Sequence, residues 1–208
     1  MAWIKTVSYD DAVGKLKSLY DRVKGPDNNV DNILMAHSLR PHTLEGHMTL
    51  YKYVLHHPGN TLPKWLLEAL GVYVSLLNKC DYCVSHHQAG LNRLLSDEKK
   101  ATAIRDALEK GTPALASDHL SDRDIAALNY GKMLTIAPEK VTLLSLDELR
   151  MAGLEDGEIL EVNQVVAYFA YANRTVLGLG VTTKGDIIGL SPTAKPGAED
   201  DPNNWGHT

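Results

Sequence analysis

The sequence predicts an all-α protein. Apolar residues recur at three- and four-residue steps along most of its 208 positions. The segments so marked are bounded by helix-capping and chain-breaking residues. Strand-like runs are confined to Val181-Thr182-Thr183 and Ile187-Ile188. A single Phe leaves a core of Leu, Val, Ala and Tyr, which suits helices. About eight helices are expected.

Ser8 with Asp10 and Asp11 marks the first helix start, and Ala12, Leu16 and Leu19 carry its apolar face to about Val23. Gly25-Pro26-Asp27-Asn28-Asn29 breaks the chain. Asp31 caps a short helix with Ile33, Leu34 and Met35. Pro41 suits the first turn of a helix running to Leu55 through Leu44, Met48 and Tyr51. Pro63 opens the next, and Leu66, Leu67, Leu70, Val72, Tyr73, Val74 and Leu77 cover most of its circumference, so it should be buried on most sides. After Asn78-Lys79 a helix containing both cysteines runs to about Leu95. Ser96-Asp97-Glu98 restarts the chain as a helix through Leu108, closed by Gly111-Thr112-Pro113. Ser121 to Asp124 caps a helix through Ile125, Leu128, Met133 and Leu134. Ser145 to Glu148 has capping-box spacing for a short helix ending at Gly153. The most apolar helix follows from Asp156 to about Asn173.

These elements form one helical domain over residues 1–190. A weak echo between Leu67…Tyr73…Leu77 and Leu128…Tyr130…Leu134 suggests internal halves at about 8–110 and 118–182. Residues 191–208 are too polar and Pro-rich to pack as an element and read as an extended or disordered tail.

Composition narrows the function classes. Forty-four per cent apolar and 23% charged residues are ordinary for a globular chain. A net charge of −5 with interspersed signs gives no footprint for nucleic acid. No apolar run reaches the roughly 18 residues a membrane span needs, and no secretory signal pattern is seen. A cytoplasmic protein is expected. There, a lone cysteine pair is more often catalytic or metal-binding than a structural staple.

That pair lies in Cys80-Asp81-Tyr82-Cys83-Val84-Ser85-His86-His87. On a helix, Cys80 and Cys83 are one turn apart and their sulfurs can meet, while Cys83 and His87 share a face at i and i+4. The positive end of the helix dipole favours thiolate, most of all at Cys80. Only Cys83 has a histidine one turn away. Glu68, the one acid between His57 and Asp81, sits in an apolar helix. It is either solvated beside Lys64 or aimed at His87 to activate the cysteines. Ser75 lies on the Glu68 face and can hold a relay water or bond its own backbone. His47 is a pocket-lining candidate. His86, about 100° from His87 around the helix, reads as structural or surface.

Glu68, Cys80, Cys83 and His87 have the spacing of a known motif. In it the sequence resembles the alkylhydroperoxidase AhpD-like family of the carboxymuconolactone decarboxylase superfamily. The segments at Leu120–Asp124, Leu134–Thr135 to Val141–Thr142, Leu149–Gly153, Val166–Phe169, Asn173–Arg174 and Gly178–Val181 resemble its peroxidase-related subgroup. The likeness covers roughly residues 8–181. It implies an all-helical peroxidase that reduces organic hydroperoxides or hydrogen peroxide with no metal or organic cofactor. It implies Cys83 as attacking thiol, His87 as its base, Glu68 as the group orienting the histidine, and Cys80 as resolving thiol. A sulfenic acid would form and condense to a disulfide, reset by a thioredoxin-like or lipoyl-bearing reductant. A homo-oligomer, trimer or hexamer by family analogy, is implied, and helices more apolar than one chain can bury point to self-association too. Founding members carry a histidine between the cysteines where this chain has Tyr82, which can hydrogen-bond but not act as a base at neutral pH.

Three other readings are weighed. The motif residues would supply four zinc ligands, but they crowd one helix. Decarboxylase chemistry, as in the superfamily's namesake, does not need the cysteine pair. A non-catalytic dithiol sensor fits the thiols equally and is separated by turnover.

Overall fold

The computed structural model describes residues 1–190, and the expected tail at 191–208 lies outside the described residues. Among the described residues there are nine α-helices and no strand. They are α1 (Gly14–Val23), α2 (Asn32–Met35), α3 (Pro41–Tyr51), α4 (Lys64–Leu77), α5 (Asp81–Leu95), α6 (Glu98–Glu109), α7 (Asp122–Ile136), α8 (Leu143–Met151) and α9 (Asp156–Leu179). The fold class is all-α, as the periodicity requires.

α4 is the central helix and packs against α5, α7 and α9. Leu67, Ala69, Leu70, Val72, Tyr73 and Val74 are all fully buried, so nearly its whole circumference is covered. Burying each large side chain stabilises the fold by about 1.5–3 kcal/mol, which outweighs anything local propensity contributes. Gly71 lets the Phe169 ring of α9 lie directly on the α4 backbone, where any Cβ would overlap it. A second cluster joins α1 to α3 through Leu16, Leu19, Tyr20, Leu44 and Met48. A third surrounds the cysteines with Tyr82, Ala36, Val176 and Val181.

Several boundaries differ from the sequence reading. Ser8 and Asp11 do form a capping-type turn, with Ser8 Oγ donating to Asp11 at 2.6 Å, but the helix starts only at Gly14. α3 ends at Tyr51 and continues as a π-helical turn over Lys52–His56. The capping box of α8 is Thr142 with Ser145, so Ser145 is inside the first turn and not at its start. α9 runs six residues past Asn173, because nothing breaks it before Gly180, whose left-handed φ of 60° closes the helix. Val181-Thr182-Thr183 and Ile187-Ile188 form turns and irregular chain.

That last segment matters for the site. Asn32 Nδ2 donates to the carbonyls of Thr182 (2.8 Å) and Lys184 (3.0 Å), folding residues 182–186 back over the start of α2. Trp3 N–H donates to Leu179 O at 2.8 Å and Thr182 N–H to Met1 O at 3.0 Å, so the N-terminus straps the same region.

Candidate active site

Cys80 is the N-cap of α5, and Cys83 lies in its first turn. Lys79, at a left-handed φ of 57°, turns the chain sharply out of α4. The turn is held by Cys80 N–H donating to Ser75 O at 2.8 Å. Both thiols are free and buried, with sulfurs 2.9 Å apart. The hydrogen bond between the two sulfurs is the main cause of opposite shifts. The hydrogen bond from Cys83 pulls Cys80 below its ordinary value, while the Cys80 sulfur and burial push Cys83 well up.

Glu68 is not the solvated carboxylate of the simpler reading. Its side chain is 1% exposed, and Oε2 lies 2.8 Å from His87 Nδ1. With Oε2 as acceptor, Nδ1 carries the proton and Nε2 is left as the basic nitrogen. His87 is seated edge-on against Phe169, ring centroids 4.6 Å apart. Among the described residues no hydrogen bond joins His87 to Cys83. Both instead line one cavity of about 70 Å³, walled by Tyr51, Tyr168 and His47. Cys80 lines a separate cavity of about 300 Å³ with Lys79, Ser85 and Thr182. The two cysteines therefore line different cavities.

The remaining expected residues fall as follows. Tyr82 OH donates to Asp186 at 2.7 Å and accepts from Ile33 N–H at 3.2 Å. Burial holds this phenol well above its ordinary value, so it donates and does not ionise. Ser75 is fully buried and accepts from Asn173 Nδ2 at 3.0 Å, which places it against α9 and not in a relay to His87. His47 lines the cavity and is fully neutral, pushed down to about 3 by burial.

Four residues were not singled out as site residues by sequence reasoning. Asn173, fully buried, accepts from Asn78 Nδ2 at 3.0 Å and favours the thiolate at both sulfurs. His86, read from the sequence as structural or surface, lines the cavity of Cys83. The signal was present: His86 is three residues after Cys83, hence on its face. Asp31 lines the same cavity and Asp186 stands behind it, Oδ2 3.3 Å from His86 Nε2 in an ion-pair approach without hydrogen-bond alignment. Asp186 is 104 residues from Tyr82, so no local pattern could reveal it. Among the described residues no cluster of three metal-ligating side chains occurs, and no helix is long and apolar enough to cross a membrane.

No protein-family profile and no curated protein matches the sequence. Solved structures do match. A peroxidase-related protein from Ralstonia eutropha, described as an alkylhydroperoxidase AhpD core, superposes with a TM-score of 0.74 at 20% identity. The match covers 87% of this chain and 91% of that one. The chain has the AhpD-like fold. A peroxidase-related protein from Silicibacter gives a TM-score of 0.73 at 21% identity, with the same 87% and 91% coverage. The debrominase Bmp8, as a cysteine-to-alanine variant in complex with 2,3,4-tribromopyrrole, gives 0.69 at 18% identity over 86% of this chain and 90% of that one. The AhpD-like fold thus serves peroxidase-related proteins and a debrominase alike.

Proposed function

We propose that the chain is a thiol-dependent peroxidase of the AhpD-like type, reducing organic hydroperoxides or hydrogen peroxide. One observation carries this reading: Cys83, its sulfur 2.9 Å from that of Cys80, lines the same cavity as a histidine backed by a buried carboxylate. Cys83 is the attacking thiol, because it lines the cavity that His87 also lines. Cys83 holds its proton more tightly than an ordinary thiol, so it needs a base beside it. His87 Nε2, through a water in the cavity, withdraws that proton, and Glu68 stabilises the imidazolium formed. Cys80 condenses with the Cys83 sulfenic acid, releasing water and leaving a disulfide.

The reductant meets Cys80. That sulfur is buried at the wall of its own cavity, which favours the slender arm of a lipoyl-bearing partner over the flatter surface of a thioredoxin-like one. Self-association is supported by the exposure of Leu143, Leu144 and Met151 at 67%, 72% and 88% along α8. A cytoplasmic location follows from the thiol chemistry, which needs a reducing compartment.

A second reading is reductive dehalogenation of a small aromatic, in which the dithiol gives two electrons and halide leaves. The aromatic wall of Tyr51, Tyr82 and Tyr168 favours it, together with the debrominase neighbour. Steady-state consumption of cumene hydroperoxide with excess dihydrolipoamide tests the first reading. Sustained turnover that is lost in Cys83→Ser supports it. A single thiol oxidation followed by silence would make the protein a sensor, and bromide release from a bromopyrrole without peroxide turnover would favour the second reading.

A further inference from the structure

Two histidines, not one, flank the Cys83 thiol. His86 and His87 follow it at i+3 and i+4 on α5, so their rings stand on either side of its face. Both line its cavity. Each has a carboxylate behind it whose side chain is 1% exposed: Glu68 for His87, Asp186 for His86. Asp186 is fixed independently, accepting from Tyr82 OH at 2.7 Å and from the Asn32 N–H at 3.1 Å. Its carboxylate faces His86 Nε2, which leaves Nδ1 as the ring nitrogen available to a bound molecule. Asp31, on the same wall, is raised to about 6, by burial first and by the neighbouring Asp186 charge as well. The peroxidase reading uses His87 and Glu68 and leaves this second pair without a task.

We propose that His86, held by Asp186, is the general acid that protonates the leaving oxygen of the hydroperoxide. The proposal rests on the peroxidase reading above. In the step, the Cys83 thiolate attacks the terminal peroxide oxygen, an S–O bond forms and the O–O bond breaks. The bond's electron pair departs on the inner oxygen, which would be a strongly basic alkoxide. The His86 imidazolium transfers its proton there, so an alcohol leaves and Cys83 is left as sulfenic acid. Sulfur is oxidised by two electrons and the peroxide is reduced by two. In-line displacement puts the leaving oxygen away from the sulfur, so base and acid are best supplied by different groups. The two histidine–carboxylate pairs on opposite flanks meet that requirement. Asp186 acts through His86 and is a positioning residue.

The test compares leaving groups in single-turnover oxidation of the reduced full chain. Cumene hydroperoxide expels an alkoxide that needs a proton, whereas peracetic acid expels acetate, which does not. His86→Gln should lose about 100-fold with cumene hydroperoxide, the ordinary worth of a general acid, and only a few-fold with peracetic acid. Asp186→Asn should show the same selectivity with a smaller loss, and it serves as the variant if His86→Gln does not fold. Equal losses with both oxidants, or no loss with either, would overturn the proposal. A wild-type chain inert to both would overturn the peroxidase reading itself.

Discussion

Glu68 Oε2 and His87 Nδ1, nineteen residues apart in sequence, lie 2.8 Å apart across the α4–α5 interface. The carboxylate does two things there: it sets the tautomer, and it stabilises the positive ring once a proton is taken up. Glu68→Gln keeps the volume and one acceptor but removes the charge. Single-turnover oxidation by hydroperoxide should therefore slow by about 100-fold or more, followed by loss of thiol absorbance in stopped flow. A rate within a few-fold of wild type would remove Glu68 from the proposed relay.

The cysteine roles proposed above can be tested separately because the two residues line different cavities. Cys80→Ser should still consume one equivalent of peroxide and stop at a sulfenic acid on Cys83, trapped by a 1,3-dione and located by mass spectrometry. Cys83→Ser should leave Cys80 unmodified over the same time, although Cys80 is the thiol whose proton affinity is lowered. Labelling of Cys80 at the wild-type rate would reverse the assignment and give weight to the helix dipole over cavity position.

Much of this was legible from local pattern. The capping box at Ser121 and Asp124 and the all-round apolar surface of α4 are written in residues a few positions apart. So is the one-turn spacing of Cys80, Cys83 and His87. What escaped depends on tertiary placement. Asp186 reaches the site only because Asn32 folds the segment after α9 back across α2. The burial of Glu68 was ambiguous because a lone acid in an apolar helix has the same sequence whether its narrow remaining face meets water or a histidine. The place of His86 in the cavity of Cys83 follows from its angle to Cys83, three residues before it, and not from its angle to His87. The end of α9 was set too early at Asn173, a polar residue that is fully buried because Asn78 and Ser75 satisfy its amide.

Acid should destabilise the protein through buried His47, with an opposing contribution from Asp31. His47 is held down to about 3 from an ordinary 6.5, by burial first and by His37 beside it. Between those values the unfolded chain binds a proton that the folded chain refuses, so stability falls as pH falls through that window. Asp31 is raised to about 6 from 3.8, so the folded chain holds the extra proton and stability rises as pH falls from about 6 towards 3.8. Between about pH 7.5 and about pH 5 the histidine costs about 2 kcal/mol and the aspartate returns about 1 kcal/mol. Wild type should thus lose about 1 kcal/mol in urea titrations, and Asp31→Asn about 2 kcal/mol. Identical pH slopes for the two proteins would show that Asp31 does not take up the proton.

Gly71 and Phe169 link the stability of the core to the seat of His87. A Cβ at position 71 would overlap the Phe169 ring, and that ring in turn meets the His87 imidazole edge-on at 4.6 Å. Phe169 is fully buried, so it cannot yield without moving its neighbours. Gly71→Ala should therefore cost about 1–3 kcal/mol in urea denaturation, despite alanine's better helix propensity. It should also slow peroxide reduction by displacing His87 from Glu68. The double variant Gly71→Ala with Phe169→Leu makes room for the new methyl group and should recover part of the stability. It should recover less of the rate, because leucine offers His87 no aromatic edge. Recovery of both to the same degree would mean that Phe169 supports the fold but not the orientation of the histidine.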